Sequence, residues 1–185
     1  MPRTSDKRER LVDAAVDLFH HRGYGQTSLS DIAEQSGVPL GNVYYYFKTK
    51  DDLANAVIEE RIHHQHDMFQ QCEQAKDPQT SLFKFLDILI DLSGDISRYG
   101  CPIGGLCQEL NKDDSELAGK ADELLSQALK WTTVQFKLMG KKDAAKLAQH
   151  LMATMHGASL LANTFSKPDI IKEEATRMKA WIKSQ

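Results

Sequence analysis

Three consecutive tyrosines, Tyr44, Tyr45 and Tyr46, follow Leu40, Gly41 and Asn42. On a helix successive side chains turn by about 100°, so the three rings cannot share one core. With Leu40, Gly41 and Asn42 they make an outward face too aromatic for an ordinary solvated surface. Such groups can read base edges: the Asn42 amide matches adenine N6 and N7, and Leu40 fits a thymine methyl. A second set is Cys101, Cys107 and His156. The spacing places Cys107 at the start of a short helix, where a thiolate is stabilised, although two inert, packed thiols are the plainer reading. A nucleophilic thiol would also need a base oriented by a third group, and no such spacing is present, so an enzyme is not expected. His63, His64 and His66 look like metal ligands, but only His63 and His66 share a helix face. No cysteine or carboxylate completes their set, so no metal is expected.

The elements that must position the tyrosines lie just before them. Ser28 and Asp31 form an S-x-x-D capping box that opens a short helix through Gln35. Gly37 can take the left-handed conformation that ends it, and Pro39 suits the first turn of a new helix. Ile32, Ala33, Val38, Val43 and Phe47 supply the inward apolar face. Two short helices joined by a glycine turn, the second carrying exposed readable side chains, make a helix-turn-helix. Before it, residues 5–22 carry Leu11, Ala15, Leu18 and Phe19 on one stripe of a first helix, which Gly23 stops.

Over residues 8–53 these features resemble the DNA-binding segment of the TetR family of bacterial transcriptional regulators. The resemblance rests on Leu18-Phe19, Gly23-Tyr24, Thr27, Asp31-Ile32-Ala33, Ser36-Gly37-Val38, Tyr44, Phe47, Lys50 and Leu53. It implies that Thr27, Ser28, Tyr44 and Lys50 contact phosphate, while Pro39, Leu40, Gly41, Asn42, Tyr45 and Tyr46 face base edges. It departs from members with a longer polar residue at position 40. It also implies a homodimer on a palindromic double-stranded operator, released by a small-molecule effector bound in the body. Some members sense electrophiles or oxidants through a cysteine, which makes Cys107 or Cys101 the alternative sensor. A helical ligand-binding protein without operator binding is the reading from another class.

Composition sets limits. The 185 residues are 41% hydrophobic and 26% charged, ordinary for a globular chain. Residues 1–50 hold seven Lys/Arg against six Asp/Glu, net +1, so with −3 for the whole chain residues 51–185 carry −4. A strongly basic domain is absent, and phosphate contact must come from placed groups: Arg3, Lys7, Arg8, Arg10, Lys48, Lys50 and helix N-termini. No apolar run approaches the roughly 20 residues of a membrane span, and the charged N-terminus lacks a secretory apolar region. A cytoplasmic protein without membrane or cofactor is expected. Three cysteines do not form a disulfide framework.

The remaining chain reads as helix throughout. A long helix is expected over 51–75, broken at Asp77-Pro78, then an apolar helix over 79–97 and a Gly/Pro breaker from Gly100 to Gly105. A short helix to Leu110 follows, then helices from Ser115 to Met139, over 143–163, and over 168–183. The expectation is an all-α chain of about nine helices. Residues 1–50 form a three-helix helix-turn-helix head, and residues 51–185 an effector-binding and dimerisation body. Phe85, Leu89, Leu106, Leu125, Leu129, Phe136 and Met155 are the expected apolar lining of the effector site, with Tyr99, Cys101, Cys107 and His156 as its polar groups. The small and flexible residues of 143–163, together with 168–183, are the expected dimer seam.

Overall fold

The computed structural model describes residues 4–112 and 116–185, and every regular element among them is a helix. In order they are α1 (Thr4–His21), α2 (Leu29–Ser36), α3 (Leu40–Tyr46), α4 (Lys50–Glu73) and α5 (Pro78–Asp91). Then come α6 (Ser93–Tyr99), α7 (Pro102–Leu110), α8 (Glu116–Leu138), α9 (Ala144–Phe165) and α10 (Asp169–Ser184). The expected helix over 79–97 is interrupted at Leu92, the C-cap of α5; counting α5 and α6 as one gives the expected nine. Arg3 and the expected cap Ser115 lie outside the described residues.

Packing divides the chain into two compact units, and not at residue 50. The first runs through His63 and takes in residues 105–124; the second holds 64–104 and 125–185. In the first unit α1 packs on α2 and α2 on α3. Its interior is the expected apolar set: Leu11, Ala15, Leu18, Phe19, Ile32, Val38, Val43 and Phe47 are all nearly inaccessible, joined by Leu53, Val57 and Ile58 of α4. Burying each such side chain contributes roughly 1.5–3 kcal/mol, which is what fixes so small an assembly. α7 is anchored here as well. The Cys107 thiol donates to the Ala121 carbonyl at 3.1 Å, and the Glu109 carboxylate accepts from the Gly25 amide at 2.9 Å.

Two expectations for this stretch are corrected. The breaker is confined to Gly100, in the positive-φ region at 88°, and Cys101; Gly104 and Gly105 are already helical, because Pro102 supplies a helix-ready first residue. Cys107 therefore sits inside α7 rather than at its start, and the helix-terminus argument for its reactivity falls away.

The second unit is held by α10 on α9 and α5, and by α6 on α9. Aromatic stacking organises its centre. Phe69 lies parallel to Trp131 at 4.7 Å between centroids, Phe85 tilts against Trp131 at 5.7 Å, and the Trp131 indole donates to Glu73 at 2.9 Å. Ile171, Ala175, Met178 and Ile182 of α10 are buried in this core. That face of α10 is consumed within the chain. Among the described residues no helix is long and apolar enough to cross a membrane.

Candidate functional site

The geometry of the helix-turn-helix follows from three local devices. The Ser28 hydroxyl accepts from the Asp31 amide at 3.2 Å while the Asp31 carboxylate accepts from the Ser28 amide at 2.8 Å, a complete capping box. Hydrogen bonds from the Ser28 side chain and amide hold the Asp31 carboxyl below the usual range. Gly37 ends α2 at φ 64°, its amide shared between the Ala33 and Glu34 carbonyls. Pro39 then occupies the N-cap position of α3.

α3 buries Val43 alone and turns its other side out. Tyr45 is 72% exposed, Tyr44 48% and Leu40 39%; Gly41 is open, and Asn42 and Tyr46 are half-buried. The rings of Tyr45 and Tyr46 meet edge to face at 5.0 Å. Nothing within 4 Å of Gly41 would meet an added Cβ, so its backbone is open to approach.

Other expected contact residues are engaged within the unit. Thr27 is 2% exposed, and its hydroxyl donates to the Gly23 carbonyl at 2.8 Å. Its side chain thus holds the turn before α2 instead of facing outward, and Ser28 is the residue left at the surface. The Lys50 ammonium donates to the Tyr24 carbonyl at 2.9 Å and stands 4.2 Å from the centroid of the Tyr24 ring. Lys48 donates to the Tyr44 carbonyl at 2.7 Å. Arg8 and Arg10 lie within α1, Arg8 over the Phe47 ring at 5.4 Å and Arg10 donating to the Ser36 carbonyl. These cations first brace the head.

In the second unit a cleft of about 70 Å³ is lined by Phe85, Leu89, Cys101, Ile103, Leu125, Ala128, Met152, Met155, His156 and Ser159. Six expected residues meet there: Phe85, Leu89, Cys101, Leu125, Met155 and His156. Five do not. Leu129 points outward at 38% exposure, and Phe136 is sealed in the core against Trp181. Tyr99 ends α6 with the Arg98 guanidinium over its ring, and Leu106 and Cys107 belong to the first unit's core. Of the four residues missed, Ile103, Ala128, Met152 and Ser159, the last two share one face of α9 with Met155 and His156, at i, i+3, i+4 and i+7. That period was the available signal. Ala128 stands one turn beyond Leu125 by the same rule.

The cleft's polar end is a Cys–His pair. The Cys101 sulfur accepts from the Gly104 amide at 3.3 Å, and His156 Nδ1 and that sulfur both lie on the side of Gly104 where a Cβ would project, at 3.4 and 3.6 Å from it. Burial pushes the Cys101 thiol up, but the hydrogen bond and charge of His156 and the amides of Gly104 and Ile103 outweigh it and leave the thiol below its ordinary value. The same hydrogen bond raises His156 against the opposing effect of burial. Burial instead raises Cys72. Among the described residues no group of three or more His, Cys, Asp or Glu side chains could hold a metal ion.

Residues 11–57, which contain the capped α2, the glycine turn and α3, match the family described as bacterial regulatory proteins, tetR family. The HTH-type transcriptional regulator LmrA of Bacillus subtilis is 31% identical over 132 residues, 70% of this chain and 69% of that one. An uncharacterized HTH-type transcriptional regulator of Mycobacterium tuberculosis is 30% identical over 169 residues, 84% and 83% of the two chains. The chain belongs to the TetR family. Several further relatives align over only about a third of their length. The fold agrees end to end with a TetR transcriptional regulator from Chloroflexus aurantiacus, with a TM-score of 0.85, 24% identity, and coverage of 98% of this chain and 96% of that one. A TetR-family chain with this segment is a helix-turn-helix, DNA-binding transcriptional regulator.

Proposed function

We propose that this TetR-family regulator is a homodimeric repressor that holds a palindromic operator until a small effector enters the cleft of its second unit. The observation that carries the reading is the outward face of α3. It projects Tyr44, Tyr45, Leu40 and Asn42 from a helix whose entry is fixed by the Ser28 box and Gly37. Pro39, Leu40, Gly41, Asn42, Tyr45 and Tyr46 read base edges in the major groove; Ser28, Tyr44 and the amides opening α2 take phosphate. Thr27 and Lys50 act behind them, holding the turns that aim these groups. With a head of net charge only +1, specific contacts outweigh the general attraction to DNA.

A pair of heads is needed because one three-helix head touches too little DNA for a specific site. Among the described residues of the second unit, the large apolar side chains left exposed lie on α8 and α9, Leu92 excepted. Gly157, Leu160, Leu161 and Phe165 form a stripe down α9, and we assign the seam there. The cleft is smaller than most ligand pockets, which selects a compact, largely apolar effector.

Selection of duplexes from a randomised pool tests this reading. The expected winners are palindromes whose half-sites lie about 10 base pairs apart, bound with an affinity that falls as salt rises. Enrichment of no sequence would leave the helical ligand-binding protein as the better account.

A further inference from the structure

We infer that Cys101, His156, Met152 and Met155 form a binding site for copper(I), the soft monovalent cation that a thiolate, an imidazole and thioethers together select. The inference goes beyond the repressor reading and does not depend on it: it concerns what the polar end of the cleft holds, and it is tested without DNA.

The donors come from two elements that meet across the cleft. α9 contributes Met152, Met155 and His156, at i, i+3 and i+4, which places all three on one face of that helix. Cys101 stands opposite them, in the turn between α6 and α7, and all four residues line the same cleft. The sulfur and the imidazole are already side by side, since His156 Nδ1 and Cys101 Sγ lie 3.4 and 3.6 Å from one point, the place of a Cβ on Gly104. The Gly104 amide donates to Cys101 Sγ at 3.3 Å, an outer bond that a metal-bound sulfur keeps. Met152 Sδ is inside the unit, 3.8 Å from the Thr132 hydroxyl, a weak bond for a metal to replace. Met155 is 3% exposed.

Charge and softness choose the ion. One thiolate and one monovalent cation sum to zero, so the filled cleft buries no net charge. A divalent ion would leave a positive charge against Phe85, Leu89, Ile103 and Leu125, where it is costly. Zinc takes four nitrogen, thiolate or carboxylate ligands, and of those types only Cys101 and His156 line the cleft. Thioethers are neutral, soft donors that serve copper(I) and offer little to a hard cation. A cleft of about 70 Å³ is tight for an organic ligand and ample for a bare ion. As the copper–sulfur bond forms, the pair gives up one proton to solvent, and the copper stays in its original oxidation state.

Copper(I) presented under nitrogen as its bathocuproine disulfonate complex is the probe, and fading of the chelate's colour measures the metal transferred. Cys72 and Cys107 are buried, so the native chain should take a single copper(I), and Cys101→Ser should take none. Met152→Leu combined with Met155→Leu, which conserves volume and keeps the core filled, should weaken binding by at least about tenfold, the loss expected from even an outer partner of a metal ligand. A parent that takes no copper, or a Cys101→Ser chain that still takes one, would overturn the site. Parental affinity in the double leucine chain would remove the thioethers, and with them the selection of copper(I). X-ray absorption at the copper edge of the loaded parent needs no variant. Sulfur neighbours with nitrogen are expected there, and a shell of nitrogen and oxygen alone would overturn the assignment.

Discussion

Thr27 and Ser28 are neighbours of similar chemistry with different work. The Thr27 hydroxyl is buried and ties the chain back to Gly23, whereas the Ser28 hydroxyl stays at the surface and caps α2. Ser28→Ala should cost about 1 kcal/mol, the usual loss for an N-cap, read as a lowered denaturant midpoint. The same change removes the largest cause of the depressed Asp31 carboxyl. A depressed carboxyl contributes stability that is present above its unfolded value and lost as pH falls through its folded one. The gap between parent and Ser28→Ala should therefore narrow on acidification below the ordinary carboxylate range. A gap independent of pH would show that the box does not couple to Asp31. On the reading face, Asn42→Ala should relax preference at one base pair in each half-site, a loss of roughly 1–3 kcal/mol. If it weakens selected and random duplexes equally, Asn42 positions rather than reads.

The elements show why some of this was legible in sequence. The Ser28 box, the Gly37 stop and the Pro39 entry involve residues within a few positions of one another, so their spacing already contains the geometry. The brace of Lys50 on Tyr24 spans 26 positions, and Glu109 reaches Gly25 across 84. No local period records such pairs. α7 was misread for a related reason: Gly104 and Gly105 disfavour helix locally, but Pro102 starts one and buried Leu106 and Leu110 hold it. The cleft's lining was half legible, because periodicity names the face of α9 but not which neighbour closes on it.

Gly23 offers an element-scale test. Its φ of 90° is one that side chains rarely adopt, and a Cβ there would stand 2.8 Å from a Glu109 carboxylate oxygen. Gly23→Ala therefore strains the turn and also displaces the acceptor of the Gly25 amide. Glu109→Ala alone should cost about 1 kcal/mol, one hydrogen bond's worth. The double variant should lose less than the sum of the two single losses, because the displaced carboxylate is already gone while the backbone strain remains. Strict additivity in denaturant titrations would mean that the carboxylate is not what Gly23 accommodates.

At the scale of the whole molecule the question is which helices pair two copies. Sequence pattern pointed to the last two long helices together, on the small and flexible residues of 143–163. The stripe of α10 is spent on α5 and α9 of its own chain, with Ile171, Ala175 and Ile182 fully buried. On α9, by contrast, Leu160 is 60% exposed and Phe165 58%, one and two turns beyond Gly157. Gly157 has no atom within 4 Å of a would-be Cβ, so a side chain there disturbs nothing inside the subunit. Gly157→Glu should consequently leave helix content and folding intact while placing an unpaired charge in the seam, at a cost of several kcal/mol to pairing. Sedimentation at micromolar concentration should find the variant monomeric. Thr176→Glu, on the exposed side of α10, should remain a dimer. The reverse pattern would move the seam to α10. A monomeric variant should also lose operator affinity far more than it loses non-specific binding, because two half-sites are then read by independent heads.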